Sequence, residues 1–417
     1  MKICMFSRIM PTHSPGGMQD HVQALSAGLV RKGHAVTVIT SGRSDGMDRE
    51  VIDGVEIHFI KGTAVGRYSS RYWSAAADRF QQLQPTENFQ MVHSQSVGAY
   101  GIYKRGLCDR YHLPLITTLH GTHSDVLTTS WHTDVALTNP RGTARFGALT
   151  LDLLFRYLYR DLRFIRASDV VIATSDADVG KYKRLYRLSE DRIRKVYNGI
   201  DTELFRPESG SASVLRRRLG IADGTKIVLA LARLEKDKGV QNAISVLPRL
   251  LKNELVQLVV VGDGDYRSAL EVQARALQVQ DHVCFVGAQP LAECAAYFNL
   301  CDVFVDPTLR TDGYDLTIAE AMACGKPVIV SDVGANSTLI DAVSQKDGIL
   351  IPRGDNDALA REVLRVLGDA PLAAELGAEA RAKIAARFSI TAMVQGMERV
   401  YAEAAALKKG SAGSRLN

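Results

Sequence analysis

Two carboxylates eight positions apart, Asp312 and Glu320, are the residues best spaced for chemistry. Asp312 opens the run Asp312-Gly313-Tyr314-Asp315-Leu316, while Glu320 lies inside Asp315–Cys324, a stretch rich in helix formers that Gly325 closes. Lys326–Ser331 then reads as a short buried strand. Backbone N–H groups at the start of such a helix attract anions, and Glu320 follows about two turns later. That spacing suits a ligand with a phosphate at one end and a sugar hydroxyl at the other. Asp315 can share the carboxylate role or cap the helix that follows it.

Other residues suit the same anion. Arg233 and Lys238 stand five apart in a loop that leads into a helix, where both cations can reach one diphosphate, whereas Lys236 between them reads as solvated. The competing reading is an ordinary charged loop. Gly16 and Gly17 open a helix and allow close backbone approach to a phosphate, although a tight turn explains them as well. His120 follows an apolar strand, at the strand end where open α/β sheets collect ligands. Gly262, at the end of another strand, reads either as a close approach to ligand or as a plain turn.

These positions need strands and helices to hold them, and the chain supplies a repeating order of apolar strand, loop and amphipathic helix. In the first half the strands are expected at 2–7, 35–40, 55–60, 90–94, 114–119, 169–174 and 193–197. Met18, Val22, Leu25 and Leu29 fall on one face of a helix between the first two. After the polar, flexible-looking stretch 207–213 the series restarts at 226–231, 255–261, 282–286, 302–306, 327–331 and 348–351. Parallel sheets covered by helices on both faces follow from that order. The expected organisation is a Rossmann-like domain over 1–200, a second over 201–389, a last helix at about 390–410 packing back on the first, and a disordered tail over 408–417.

A chain of 417 residues is long enough for two such cores. Its six cysteines form no C-x-x-C pair and no zinc-spaced cluster, and no acidic cluster is read as a metal site, so neither a metal nor another cofactor is expected. No apolar run approaches the length of a membrane span, and a cytoplasmic setting is the simplest expectation. The first 200 residues carry a net charge of +8 and the remainder −3. Arg156, Arg160, Arg163 and Arg166 are interleaved with Leu, Phe and Tyr over 153–166, which reads as a basic amphipathic helix. It is either a buried helix with solvated arginines or a peripheral contact with an anionic membrane face. No nucleic-acid partner is expected.

The Asp312–Glu320 segment closely resembles the Glu-x7-Glu signature of family 4 retaining glycosyltransferases, with Asp312 where the first Glu usually stands. The Gly-Gly loop, His120 and the Arg233-x4-Lys238 element follow in family order, so the resemblance covers essentially the whole chain. Gln19-Asp20 departs from the acidic-basic pair usual after the glycines. The resemblance implies a GT-B fold, two Rossmann-like doubly wound domains facing a central cleft. It implies transfer of a sugar from a nucleotide-diphosphate sugar to an acceptor hydroxyl, with retention and without metal. The acceptor is a glycan, a lipid or a small molecule. His120, Asp312, Arg233 and Lys238 are then the catalytic candidates. Donor contacts fall to Gly16, Gly17, Arg233, Lys238, Gly262, Gly313, Tyr314, Asp315, Leu316 and Glu320, with Glu320 on the ribose and Asp312 on the donor sugar. The alternatives are a nucleotide-sugar epimerase or hydrolase on the same fold, or a non-catalytic sugar-nucleotide binder. A dehydrogenase is disfavoured, because Gly16-Gly17 is not G-x-G-x-x-G.

Overall fold

The computed structural model describes all residues except 15, 135–139, 209, 311–314 and 414–417; the side chains of 129–134, 140–145, 148, 211 and 410–413 are likewise outside the description. The chain divides into two compact units. The first holds 1–122, 151–199 and the chain from Ile390 onward, and the second holds 123–150 and 200–389. Residues 123–150 therefore group with the second unit, whereas the sequence reading had assigned them to the first domain.

The first unit is built on β1 (Lys2–Phe6), β2 (Ala35–Ser41), β3 (Arg49–Ile52), β4 (Val55–Ile60), β5 (Met91–Gln95), β6 (Leu115–Leu119), β7 (Val170–Ala173) and β8 (Ile193–Lys195). They form one sheet in the order β3-β4-β2-β1-β5-β6-β7-β8. All pairs are parallel except β3 with β4. Side chains alternate across a strand, and β1 shows the consequence. Ile3 and Met5 enter one apolar cluster and Cys4 and Phe6 another, so the sheet is covered on both faces. The helix α1 (Gly17–Arg31) packs on the first of these faces through Val22, Leu25 and Leu29. Strand β3 was not expected from the sequence. It is a four-residue edge strand with exposed Arg49 and Val51, too short and too solvated for a period-2 pattern.

The second unit is built on β9 (Lys226–Leu231), β10 (Val256–Val261), β11 (Val283–Gly287), β12 (Val303–Asp306), β13 (Val328–Ser331) and β14 (Ile349–Ile351), in the order β11-β10-β9-β12-β13-β14. Every pair is parallel. The helix α2 (Leu316–Ala323) follows β12 and ends before Gly325, whose φ of +70° supplies the left-handed stop. The last helix, α3 (Ile390–Gly413), belongs to the first unit, where Met393, Val394, Met397 and Tyr401 complete the cluster under α1.

Three expectations need correction. The tail expected to be disordered from Lys408 is helical as far as Gly413, because α3 continues through it. The stretch expected to be flexible at 207–213 is partly helical, since a helix runs over Gly210–Arg218. The arginine-rich helix is interrupted, with Pro140–Arg156 and Leu162–Ala167 joined by a π-helical turn over Tyr157–Asp161. Arg160 turns inward onto Asp161 and lies 5.3 Å over the Trp73 ring, while Arg156, Arg163 and Arg166 stay exposed. Beside them Leu151, Leu154, Phe155, Leu158 and Tyr159 are also exposed. Among the described residues no helix is long and apolar enough to cross a membrane.

Candidate functional site

In the second unit, the loop after β9 is pressed onto the end of β12. Leu309 donates its backbone N–H to the Asp237 carbonyl at 2.8 Å, and Thr308 donates its hydroxyl to the same oxygen at 3.2 Å. Gly239 sits in the contact at φ +74°, and a Cβ there would lie 1.8 Å from the Pro307 carbonyl oxygen. Only glycine tolerates both the dihedral and the proximity. The result is that Lys238 is buried, with 6% of its side chain exposed, and its Nζ donates to Oδ1 of Asp315, the residue preceding α2.

Of the two readings of Asp315, a share in the carboxylate role or a helix cap, the cap is not what its side chain does: it accepts no capping hydrogen bond and is committed to Lys238. A second acid, Asp306, ends β12 and is buried. Burial first, and then the Asp315 charge, push Asp306 well above the usual carboxylate range. Burial acts on Asp315 in the same direction, but the Lys238 ammonium and the Arg310 guanidinium outweigh it and hold Asp315 low. Asp306 was overlooked in the sequence. Its signal was there, a lone acid closing an apolar strand at the end where ligands bind.

The other donor-side candidates fall in different surroundings. Arg233 is exposed and pairs with Glu235 at 2.9 Å, so it is not part of the buried Lys238 network. Lys236 is exposed, as read from the sequence. Gly262, at φ +128°, lies where a Cβ would come within 1.9 Å of the Ala232 carbonyl, so its glycine is explained by the approach of the β10 end to the β9 end. Leu316 opens α2, and Glu320 is buried on its second turn. Asp312, Gly313 and Tyr314 lie outside the described residues. A groove of about 620 Å³ beside the edge strand β14, lined by Lys346, Leu350, Arg361 and Arg365 among others, contains none of these candidates.

In the first unit, Gly16 precedes α1 and its carbonyl accepts the Asp20 N–H at 3.0 Å. Gly17 is the first helical residue and is exposed. One turn on, His21 is buried, neither ring nitrogen has a hydrogen-bond partner, and its ring meets His120 edge-on at 5.0 Å. The glycine helix start and His120 therefore share one end of the first sheet. His120 Nε2 lies 2.6 Å from Gln95 Oε1 at the end of β5. An amide oxygen only accepts, so Nε2 carries the proton and Nδ1 the lone pair. Behind them His93 bridges Thr118 Oγ1 and the Tyr401 hydroxyl, each at 2.8 Å. Burial is the main cause that lowers all three histidines, His21 to about 4, His93 to about 3 and His120 well below its ordinary value. They are neutral near pH 7. His21, His93 and Gln95 were not singled out in the sequence, since nothing local connects them to His120.

The comparisons with known proteins can be set on this geometry. Residues 15–204 match the family described as Glycosyltransferase Family 4, and residues 212–383 match Glycosyl transferases group 1. The chain is a family 4 glycosyltransferase. This glycosyltransferase is 29% identical over 376 residues to the alpha-monoglucosyldiacylglycerol synthase of Streptococcus pneumoniae, covering 88% of this chain and 78% of that one. It is 27% identical over 399 residues to the N-acetyl-alpha-D-glucosaminyl L-malate synthase of Bacillus anthracis, covering 93% and 94%. Among solved structures it superposes on the sucrose-phosphate synthase of Thermosynechococcus elongatus with a TM-score of 0.76 at 20% identity, covering 97% of this chain and 98% of that one. The glycosyltransferase thus has the GT-B fold, with two Rossmann-like domains, as the motif order implied.

Proposed function

We propose that this family 4 enzyme moves a sugar from a nucleotide-diphosphate sugar to an acceptor hydroxyl with retention of anomeric configuration and without a divalent metal. The observation that carries this reading is Lys238, a buried ammonium held by Asp315 just before α2, at the carboxyl end of the second sheet. Breaking the bond between the anomeric carbon and the β-phosphate oxygen develops negative charge on that oxygen. A fixed cation beside the helix start stabilises that charge, and such preorganised electrostatics is commonly the largest catalytic contribution. The acceptor oxygen forms its bond on the face the phosphate leaves, and its proton passes to the departing phosphate. In this reading Arg233 adds a second, solvent-facing cation, Glu320 holds the ribose and Asp312 the donor sugar. Gly16, Gly17 and the neutral His120 serve the other substrate, His120 through its Nδ1 lone pair.

Metal independence is supported by the same cation, whose charge can balance a phosphate as a divalent ion would. The two relatives carry names that point to a glycerolipid and to malate, so acceptor class does not transfer by likeness. A lipid acceptor at an anionic membrane surface is favoured here by the exposed Leu154, Phe155, Leu158 and Tyr159 beside Arg156, Arg163 and Arg166. The deciding experiment is a thermal-shift panel of nucleotide sugars, followed by product analysis with and without acceptor lipids. A stabilising donor and acceptor-dependent product are expected. Hydrolysis or epimerisation that ignores every acceptor would overturn the transferase reading for this chain.

A further inference from the structure

We propose that the acceptor carries an oxyanion, a carboxylate or a phosphate, which the guanidinium of Arg8 receives at the His120 end of the first sheet. This deepens the transferase reading and rests on its assignment of His120 to the acceptor.

The sheet decides where Arg8 stands. Strand β1 lies inside it, between β2 and β5, and Arg8 is the second residue beyond its carboxyl end, where parallel sheets collect ligands. The backbone there is pinned. Ser41 donates its hydroxyl to the Arg8 carbonyl at 2.6 Å. Ser7 Oγ donates to the Ile9 carbonyl at 2.8 Å and accepts the Ile9 N–H at 3.3 Å. Arg8 itself is exposed, with Cζ 5.9 Å from the centroid of the Tyr68 ring. Tyr68 donates its hydroxyl to the Gln95 carbonyl at 2.5 Å, and the Gln95 side chain holds His120. Two fixed residues, Tyr68 and Gln95, thus join Arg8 to His120.

The charge on Arg8 is unanswered. Two other arginines of the first unit also lie over rings, Arg43 at 5.2 Å from Phe59 and Arg160 at 5.3 Å from Trp73. Each of those has its own acid. Arg43 pairs with Asp45 at 2.7 Å and Glu50 at 2.6 Å, and Arg160 pairs with Asp161. Among the described residues the Arg8 guanidinium meets neither a carboxylate nor another hydrogen-bond acceptor. Asp20, the acid in the first turn of α1, forms no ion pair with it. The positive end of the α1 dipole lies at the same end of the sheet, and the three histidines there are neutral. This end of the first unit therefore favours an anion. A guanidinium fork takes two oxygens of a carboxylate or phosphate at once. Its contact with the Tyr68 face leaves those N–H groups free for a ligand. An acceptor anchored at Arg8 by its anion can offer a hydroxyl to the Nδ1 lone pair of His120.

The test compares glycerol, glycerate and glycerol 3-phosphate as ligands of the full chain, one skeleton bearing no anion, a carboxylate or a phosphate. Thermal shift near neutral pH and at constant ionic strength gives the concentration for half-maximal stabilisation, with no donor present. At least one of the two anions should stabilise wild type far below the concentration at which glycerol acts. Arg8→Gln should weaken that response about tenfold to a hundredfold, as expected for loss of a charge-assisted hydrogen bond, and Arg8→Lys should recover part of it. Lys238→Met, which removes the buried cation of the second unit, should leave it intact. If the soluble anions are silent but Arg8→Gln weakens co-sedimentation with phosphatidylglycerol vesicles, the proposal stands with the oxyanion on a lipid head group. Responses equal in wild type and Arg8→Gln would overturn it, as would a response lost in Lys238→Met, or silence toward soluble anions and vesicles alike. Anion binding through Arg8 in a chain that transfers nothing would keep this site and sink the transferase reading alone.

Discussion

Replacing Lys238 by Met separates stability from chemistry at the proposed donor site. Met keeps the length of the side chain, so the main loss is the ammonium. Asp315 would then be left without the cation it accepts from, and breaking a buried pair by removing one partner commonly costs about 3–5 kcal/mol. Protonation sets a ceiling. Neutralising a carboxyl whose ordinary value is 3.8 at pH 7 costs about 4 kcal/mol, and Arg310 nearby offsets part of that. Lys238→Met should therefore lower stability by about 2–4 kcal/mol, and adding Asp315→Asn should restore most of it by removing the stranded charge. Turnover should behave differently. Both the single and the double variant should lose about 10²–10³ in kcat, because neither restores a positive group for the leaving phosphate. Urea denaturation and acceptor-dependent transfer, measured on the same preparations, give the two readouts. A double variant with wild-type turnover would refute the assignment, since the cation would then be dispensable to the reaction.

Other outcomes follow from the geometry. Gly239→Ala places a Cβ against the Pro307 carbonyl at a positive φ and should cost about 2–4 kcal/mol, with turnover falling too because Lys238 is carried by that turn; near-wild-type urea midpoints would refute the contact. Histidines whose folded-state acidity is depressed bind fewer protons folded than unfolded, so stability should fall as pH drops below about 6.5 toward about 4 for His21 and about 3 for His93, by up to roughly 1.4 kcal/mol per pH unit for each. Denaturation at pH 7 and pH 5 checks this, and a His93→Gln variant should show a shallower slope. Transfer should persist in excess chelator; complete loss restored by Mg²⁺ or Mn²⁺ would reveal a metal dependence. Anionic vesicles should co-sediment the protein at low salt and release it at high salt, and Phe155→Ser with Tyr159→Ser should weaken that binding. Unchanged sedimentation in that double variant would place the contact elsewhere.

Local order was written plainly in the chain. Apart from the edge strand β3, the strands and α1 announced themselves, because a buried parallel strand is a short apolar run and a one-sided helix repeats every three to four residues. Gly325 could be read as a stop from its neighbours, since the left-handed turn it supplies is a local demand. The interrupted arginine-rich helix could not, because the inward turn of Arg160 depends on Trp73, far away in sequence. The same holds for the site. The motif residues Arg233, Lys238, Asp315 and Glu320 were legible by spacing, but spacing treated Arg233 and Lys238 as equivalents and left Asp315 between a ligand contact and a cap. Tertiary structure separated them. Parallel order placed β12 beside β9, and that adjacency brought Lys238 to Asp315 across 77 positions of sequence. In the same way β5 beside β6 gave His120 its Gln95, and α3 returning under α1 gave His93 its Tyr401. Sequence determines which segments become strands and helices because those preferences are short-ranged. Which charges are masked, and where protons rest, is decided only when folding removes water and sets distant side chains within hydrogen-bond reach.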